Sequence, residues 1–400
     1  MRSAQCAMPL PPMSWALIPL TEEQREIQRV AREFAEQEIA PHSEAWDRDA
    51  HFDRGVIARL GELGFLGMLV PEEYDGLGLD TRTYLVALEE IATVDASVAV
   101  AMSVHNSLPT QMLLRWGSEE QKQRFLRPMA RGQWLGAFAL SEPEAGSDAA
   151  SLRTQAERQG DCWVLNGTKA WVTSGSHADV IIAMVRTDKP GDRRGPRGIG
   201  AFIITPDLDG VRVGKKEDKM GLRASPTVQI TFDNARVPAA NLLGGEGMGF
   251  VYAMQSLDNG RLGIAAQAIG IARAALEHSV TYAAERRQFG KPIKEFEAIQ
   301  FKLADMATRI TAARALLYSA AAVKDRGESI TQFSSMSKLL ASETAMWVTT
   351  QAIQIFGGYG YVKDYPVERL FRDAKATEIY EGTSEIQRIV IARELYARGA

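Results

Sequence analysis

The sequence predicts an α+β protein of three blocks: an all-helical N-terminal domain, a small middle β-domain and a C-terminal four-helix bundle. Three observations carry this. Apolar residues recur at helical spacing from Thr21 to about residue 135, alternate with polar ones at strand spacing between about 136 and 248, and then fill long windows with few breakers from 249 to 400. Because the order is helices, strands, helices, with no βαβ alternation, no Rossmann sheet is expected.

Residues 1–20 contain no acid and carry Pro9, Pro11, Pro12 and Pro19, so they read as a loose extension. Arg2 is its only basic residue, which is weak support for a transit peptide, and later starts at Met8 or Met13 are open. Thr21 with Gln24 forms a capping-box signature, and Ile27, Val30, Ala31 and Phe34 follow on one face, giving a helix expected to stop near Pro41. Helical windows follow at 56–66, 83–93, 98–116 and 119–129 and complete a unit over 21–135. In the middle unit, 136–248, Trp163–Leu165, the dipeptide Asn166-Gly167 and Lys169–Thr173 read as a hairpin. Runs at 180–185 and 199–204 read as further strands, and Val228, Ile230 and Phe232 mark the buried side of another. The glycines of 244–249 read as a hinge into the last unit, 249–400, where windows at 261–286, 298–325 and 334–355 are long enough to pack as a bundle.

The 400 residues carry 46 Lys and Arg against 50 Asp and Glu, a net charge of −4, and the cations are spread along the chain. That excludes the basic stripe of a nucleic-acid binder. Cys6 and Cys162 are too few for a disulfide framework or a thiolate metal site, the five histidines lack ligand spacing, and no apolar run of about 18 residues offers a membrane span. No Walker loop, zinc helix or nucleophile elbow occurs, and the glycines at 244–249 lack dinucleotide spacing.

What remains is a set of junction motifs: Phe138-Ala-Leu-Ser-Glu-Pro-Glu-Ala-Gly-Ser-Asp148, Trp171-Val-Thr-Ser174, Arg286-Arg-Gln-Phe-Gly290, Gln354-Ile-Phe-Gly-Gly358 and Ile379-Tyr-Glu-Gly-Thr-Ser-Glu385. Taken one by one they have ordinary readings: a turn, core packing in a strand, a cation at a helix end. Together they resemble the acyl-CoA dehydrogenase family over about residues 20–398, most closely its short-chain, butyryl-CoA type. Lys215–Arg223 and Leu257–Ile264 add to the likeness.

That resemblance implies FAD as cofactor, lined by Phe138, Leu140, Ser141, Gly146 and Ser147, with Trp171, Val172 and Thr173 beside the flavin ring. Arg286 and Phe289, with Gln354, Ile355, Phe356, Gly357 and Gly358, would bind the FAD of a neighbouring subunit in a homotetramer, a dimer of dimers. Thr383, Ser384 and Glu385 complete the cofactor set. Glu297 stands where the short-chain pattern has glutamine, which puts that contact in doubt. Acyl-CoA would meet Ser147, Asp258, Asn259, Gly260, Arg261 and Gly382, while Gln267 and Thr377 floor a pocket for about four to six carbons.

The chemistry requires a base, an oxyanion stabiliser and a hydride acceptor at once. Glu381 is the implied base that removes the α-proton, since the family's second location for it is Gly260 here, and the product is a trans-2-enoyl-CoA. The electrons pass to electron-transferring flavoprotein. The alternatives are a branched short-chain acyl-CoA dehydrogenase, a flavin oxidase or monooxygenase on the same fold, and a helical scaffold that has lost its cofactor. The resemblance places such an enzyme in the cytoplasm of a bacterium or the mitochondrial matrix of a eukaryote, in fatty acid β-oxidation.

Overall fold

The computed structural model describes residues 17–188 and 195–398. The expected extension lies outside the described residues up to residue 16. The helical start is capped as the sequence predicts: the Gln24 N–H donates to Thr21 Oγ1 at 3.1 Å, and the Thr21 N–H to Gln24 Oε1 at 3.2 Å.

The first helix does not stop at Pro41. Helix α1 (Glu22–Phe34) runs through a π turn (Ala35–Ile39) into α2 (Ala40–Asp49). The wide turn, closed by the Ala40 N–H on the Ala35 carbonyl, loosens the i−4 crowding that makes an internal proline break a helix. Pro128 is admitted in the same way, in the helical residues Arg127–Ala130 that directly follow a π turn (Lys122–Leu126). The window 98–116 is in turn two helices, α3 (Ala96–Ser107) and α4 (Pro109–Trp116), because Leu108 precedes a proline and leaves the helical region. A further helix, α5 (Thr81–Val94), packs behind them.

The middle unit is an eight-stranded sheet, antiparallel except where the strand at Val180–Arg186 pairs with Gly136–Ala139 and touches Gln155. The hairpin expected at Asn166-Gly167 is absent. Cys162–Thr173 is one strand, β1, paired along Thr227–Pro238, β2, with a bulge between Leu165 and Gly167. Gly167 takes φ +141° and lies so close to Thr154 that a Cβ would overlap it, while the Asn166 side chain accepts the Asn234 N–H across the strands. The tight turn of this region is Gly160-Asp161, between the paired residues Gln159 and Cys162. Val228, Ile230 and Phe232 are buried on alternate positions, as expected.

The C-terminal unit has three long helices, α6 (Gly249–Glu285), α7 (Glu297–Asp325) and α8 (Thr331–Phe356), joined by α9 (Val367–Thr377) and α10 (Ser384–Arg398). Because α6 starts at Gly249, Asp258 and Arg261 lie inside it rather than at its start. Its middle is buried against α5 and α3, so the first and last helical units share one hydrophobic core.

That core also holds charge. The Arg273 guanidinium donates to Glu89 at 2.6 Å and Glu90 at 2.9 Å; Arg314 and the Tyr318 hydroxyl reach the other Glu89 oxygen, each at 3.0 Å. Arg32 and Gln28 complete Glu90 at 2.7 Å each. Four helices are thereby tied by one network in which both carboxylates are fully partnered. Among the described residues no helix is long and apolar enough to cross a membrane, and no group of His, Cys, Asp and Glu could hold a metal ion. His105 is structural: it accepts the Gly136 N–H at 3.0 Å and faces the Met129 carbonyl at 3.1 Å.

Candidate active site

Between α9 and α10 the chain makes a tight loop, and Glu381 in it sits at φ +52° with Gly382 following at +93°. A non-glycine residue in the left-handed region is held there by its surroundings. The Gly382 carbonyl accepts from Lys338 Nζ at 2.7 Å and from Gln387 Nε2 at 2.9 Å, and Gln387 also donates to the Glu381 carbonyl at 3.2 Å.

The Glu381 side chain reaches back to α6. Both its carboxylate oxygens are buried, and neither has a hydrogen-bond partner among the described residues. They rest where a side chain at position 260 would be: a Cβ built on Gly260 would overlap the carboxylate. Desolvation pushes the Glu381 carboxyl up to about 7, although Lys338 and Arg261 pull the other way. A carboxylate so placed is a proton acceptor waiting for a donor.

The residues expected around it are present. Arg261 donates to Asp258 at 2.7 Å and to the Ser335 hydroxyl at 3.1 Å, and Thr331 donates to the second Asp258 oxygen at 2.7 Å. This is a mostly buried network, not a solvated surface pair. Asn259 is buried beside it. Gln267 donates to the Ala96 carbonyl at 2.7 Å and accepts from the Tyr380 hydroxyl, which places it directly beneath the residue next to Glu381. Thr377 is fully buried, its hydroxyl turned to the Ala374 carbonyl at 2.7 Å.

The two motifs of the sheet are also joined. The Ala170 N–H donates to the Ser141 carbonyl at 2.8 Å, and the buried Lys169 donates to the Leu140 carbonyl at 3.1 Å and to Glu142 at 2.7 Å. Glu142 is held by the backbone N–H groups of Arg153 and Thr154. Around this anchor Gly146 and Ser147 are exposed, Ser141, Phe138 and Thr173 are half-buried, and Trp171 presents 63 % of its surface at φ +61°. Leu140 and Val172 point into the core, so only their backbone is free to meet a ligand.

The remaining motifs gather elsewhere. Arg286 caps α6, and its guanidinium lies 5.3 Å over the Tyr359 ring; Tyr282 stacks on Phe356 at 4.0 Å. Gln354, Gly357 and Gly358 are exposed, Ile355 and Phe356 buried, and Phe289 is 93 % exposed. From Gly260 to Arg286 is 26 residues along one helix, about 39 Å. One chain therefore does not bring Arg286 and Gln354–Gly358 to Glu381. Thr383, Ser384 and Glu385 open α10, where Thr383 caps the Ile386 N–H at 3.4 Å. Glu297 is exposed in the first turn of α7, where the helix dipole alone accounts for an acid.

Sequence reading missed Lys338, Gln387, Lys169 and Glu142. Lys338 had a legible signal: it falls on the face of α8 with Ser334, Ser335, Ala341, Ser342 and Ala345, a buried stripe of small residues where a lysine is out of place.

A buried carboxylate without a hydrogen-bond partner among the described residues, in a chain whose sheet also presents an exposed indole, is a donor set suited to acid–base chemistry beside a flat cofactor. Family models for the N-terminal, middle and C-terminal domains of acyl-CoA dehydrogenase match residues 21–133, 137–235 and 247–396. The chain is 50% identical to an acyl-CoA dehydrogenase of Bacillus subtilis over 94% of its length and 98% of the relative's. It is 49% identical to the mitochondrial short-chain specific acyl-CoA dehydrogenase of Mus musculus, over 94% and 91%. Among solved structures, butyryl-CoA dehydrogenase from Megasphaera elsdenii superposes with a TM-score of 0.92 at 45% identity, covering 94% of this chain and 99% of that one. A chain solved in work on the electron transferring flavoprotein of Acidaminococcus fermentans gives 0.93 at 48%, with coverage of 94% and 99%. The protein belongs to the acyl-CoA dehydrogenase family and is an oxidoreductase.

Proposed function

We propose that the protein dehydrogenates short-chain acyl-CoA esters to trans-2-enoyl-CoA, with Glu381 as the base. The observation that carries this is the Glu381 carboxylate, buried, without a hydrogen-bond partner among the described residues and raised to about 7. A base of that pKa is matched to an α-carbon made more acidic by its thioester.

The residues fit a flavin. An exposed indole at Trp171, the half-buried hydroxyl-bearing residue Thr173 and the open backbone at Gly146 offer a flat face, a hydrogen bond and close approach. FAD, when bound there, supplies the acceptor for the β-hydride. Phe138, Leu140, Ser141, Gly146, Ser147 and Trp171–Thr173 would hold its flavin end. Arg286, Phe289 and Gln354–Gly358 would hold the cofactor of another subunit, a reading supported by their distance from Glu381 and the exposure of Phe289. The assembly proposed is a homotetramer, with each site shared between subunits. Thr383–Glu385 complete the cofactor set.

On the substrate side, Asp258, Asn259 and Arg261 would meet the CoA ester with Ser147, Gly260 and Gly382, and Gln267 with Thr377 would limit acyl length. The Glu381 N–H would polarise the thioester carbonyl. The Acidaminococcus structure supports electron-transferring flavoprotein as the partner. Bacterial and mitochondrial relatives support a cytoplasmic or matrix enzyme.

Anaerobic addition of butyryl-CoA should bleach the flavin at once, with slow recovery in air. Glu381→Gln should retain the flavin and lose turnover by about 10²–10⁴. Fast reoxidation by oxygen would make the protein an oxidase, and near-normal turnover in Glu381→Gln would remove Glu381 from its role.

A further inference from the structure

Burying a lysine to satisfy one peptide carbonyl is costly, because the ammonium gives up its hydration for a bond that a neutral donor could make. Lys338 is nonetheless fully buried, and its ammonium donates to the Gly382 carbonyl at 2.7 Å, one residue beyond Glu381. Gln387 already supplies a neutral donor to the same oxygen at 2.9 Å. The hydrogen bond alone does not account for the charge.

We propose that Lys338 is a positioning residue for Glu381: it clamps the Gly382–Thr383 peptide, and its buried positive charge sets how readily the nearby carboxylate ionises. The inference rests on the reading of Glu381 as the base. The geometry has two parts. The left-handed backbone of Glu381 persists because its own carbonyl is tied down by Gln387 from α10, and the next one, of Gly382, by both Gln387 and Lys338 from α8. The carboxylate itself has no hydrogen-bond donor among the described residues, so its charge is balanced only through space.

The groups that face it are few. Lys338 on α8 and Arg261 on α6 favour the anion, and the Tyr84 phenol on α5 and the adjacent Tyr380 phenol are close enough to feel it. Arg261 is already committed to Asp258 at 2.7 Å, which leaves Lys338 as the less compromised charge. Glu378 and Glu385, on the loop and on α10, in turn favour the charge on Lys338. Burial holds the Lys338 ammonium down to about 8, so it is charged when the carboxylate titrates.

The test is the pH profile of kcat/KM with the holoenzyme and butyryl-CoA. Lys338→Gln keeps a donor to the Gly382 carbonyl and removes the charge; its acid limb should move up by about one pH unit, with kcat at neutral pH down about tenfold and KM little changed. Lys338→Arg should restore the limb. An acid limb that stays at the wild-type position in a flavin-loaded Lys338→Gln enzyme would overturn the proposal.

Gln387→Leu loosens the same peptide without touching the charge, and it gives an answer even if the lysine variants do not fold. It should lower kcat and leave the limb in place. A limb that moves there shows that loop geometry, not the Lys338 charge, sets it, and the proposal fails. If Glu381→Gln retains turnover in the same assay, the base reading fails instead, whatever Lys338 does.

Discussion

Glu90 and Glu381 are both carboxylates taken out of water, and the fold treats them in opposite ways. Glu90 is met by Arg273, Arg32 and Gln28, and despite the desolvation of its site the two guanidinium charges hold its carboxyl down to about 2. Glu381 is met by no hydrogen-bond donor among the described residues and rises to about 7. The difference is not burial but completion. A buried acid with every lone pair used is part of the scaffold, and one left open has a free-energy reason to take up a proton.

Removing one partner from the complete network should have the larger effect on stability. Arg273→Met takes one guanidinium from both Glu89 and Glu90 in the shared core, leaving each a single arginine, and should cost about 3–5 kcal/mol of unfolding free energy, read as a fall in the denaturant midpoint. A loss below about 1 kcal/mol would show that the network is dispensable and that the contrast with Glu381 is not one of completion.

The second test has the opposite sign. Glu381 has a folded pKa above its unfolded value of 4.5, so its contribution to stability is full below pH 4.5 and is lost as pH rises through about 7. Glu90 has a folded pKa below 4.5, and its contribution is full above that pH and lost as pH falls toward 2. Glu381→Gln should therefore stabilise the protein at pH 8, by up to about 3 kcal/mol, and leave it unchanged at pH 4.5. A variant equally stable at both would mean that water reaches the carboxylate.

The contrast can be sharpened at Gly260. Gly260→Ala places a methyl where the Glu381 oxygens lie, and should cost turnover about 10²-fold through displacement of the base while FAD content stays constant. The smallest effect is expected at the pocket floor. Gln267→Gly with Thr377→Ala should move the chain-length optimum upward by a few carbons, each methylene being worth about 0.8 kcal/mol. An unchanged optimum would remove both residues from that role.

The three-block order was legible because hydrophobic period is a local signal, and so were the cap at Thr21 and the strand at Val228–Phe232. Pro41 and Asn166-Gly167 were misread for one reason: a breaker or turn residue in sequence can be absorbed by a π turn or a bulge, and nothing local distinguishes the cases. The true turn, Gly160-Asp161, is as short and as polar as the false one. For the site, Glu381 and its neighbours were reached through motif likeness, whereas the Glu89, Glu90, Arg273 and Arg314 network was out of reach because each acid lies 183 to 225 residues from the Arg273 or Arg314 it pairs with. Lys338 could have been found, as a charge on a buried face.

Helix α6 carries Gly260 in its N-terminal third and ends on Arg286 without a break between them. An added or lost residue between them would rotate everything beyond it by about 100° and shift it by about 1.5 Å. Substitutions along this rod are absorbed locally, but a change in its length would misalign both ends together. Codon insertions and deletions in this stretch of the gene should therefore be lost under selection even where missense changes survive, and length variation in the protein should collect in its surface loops.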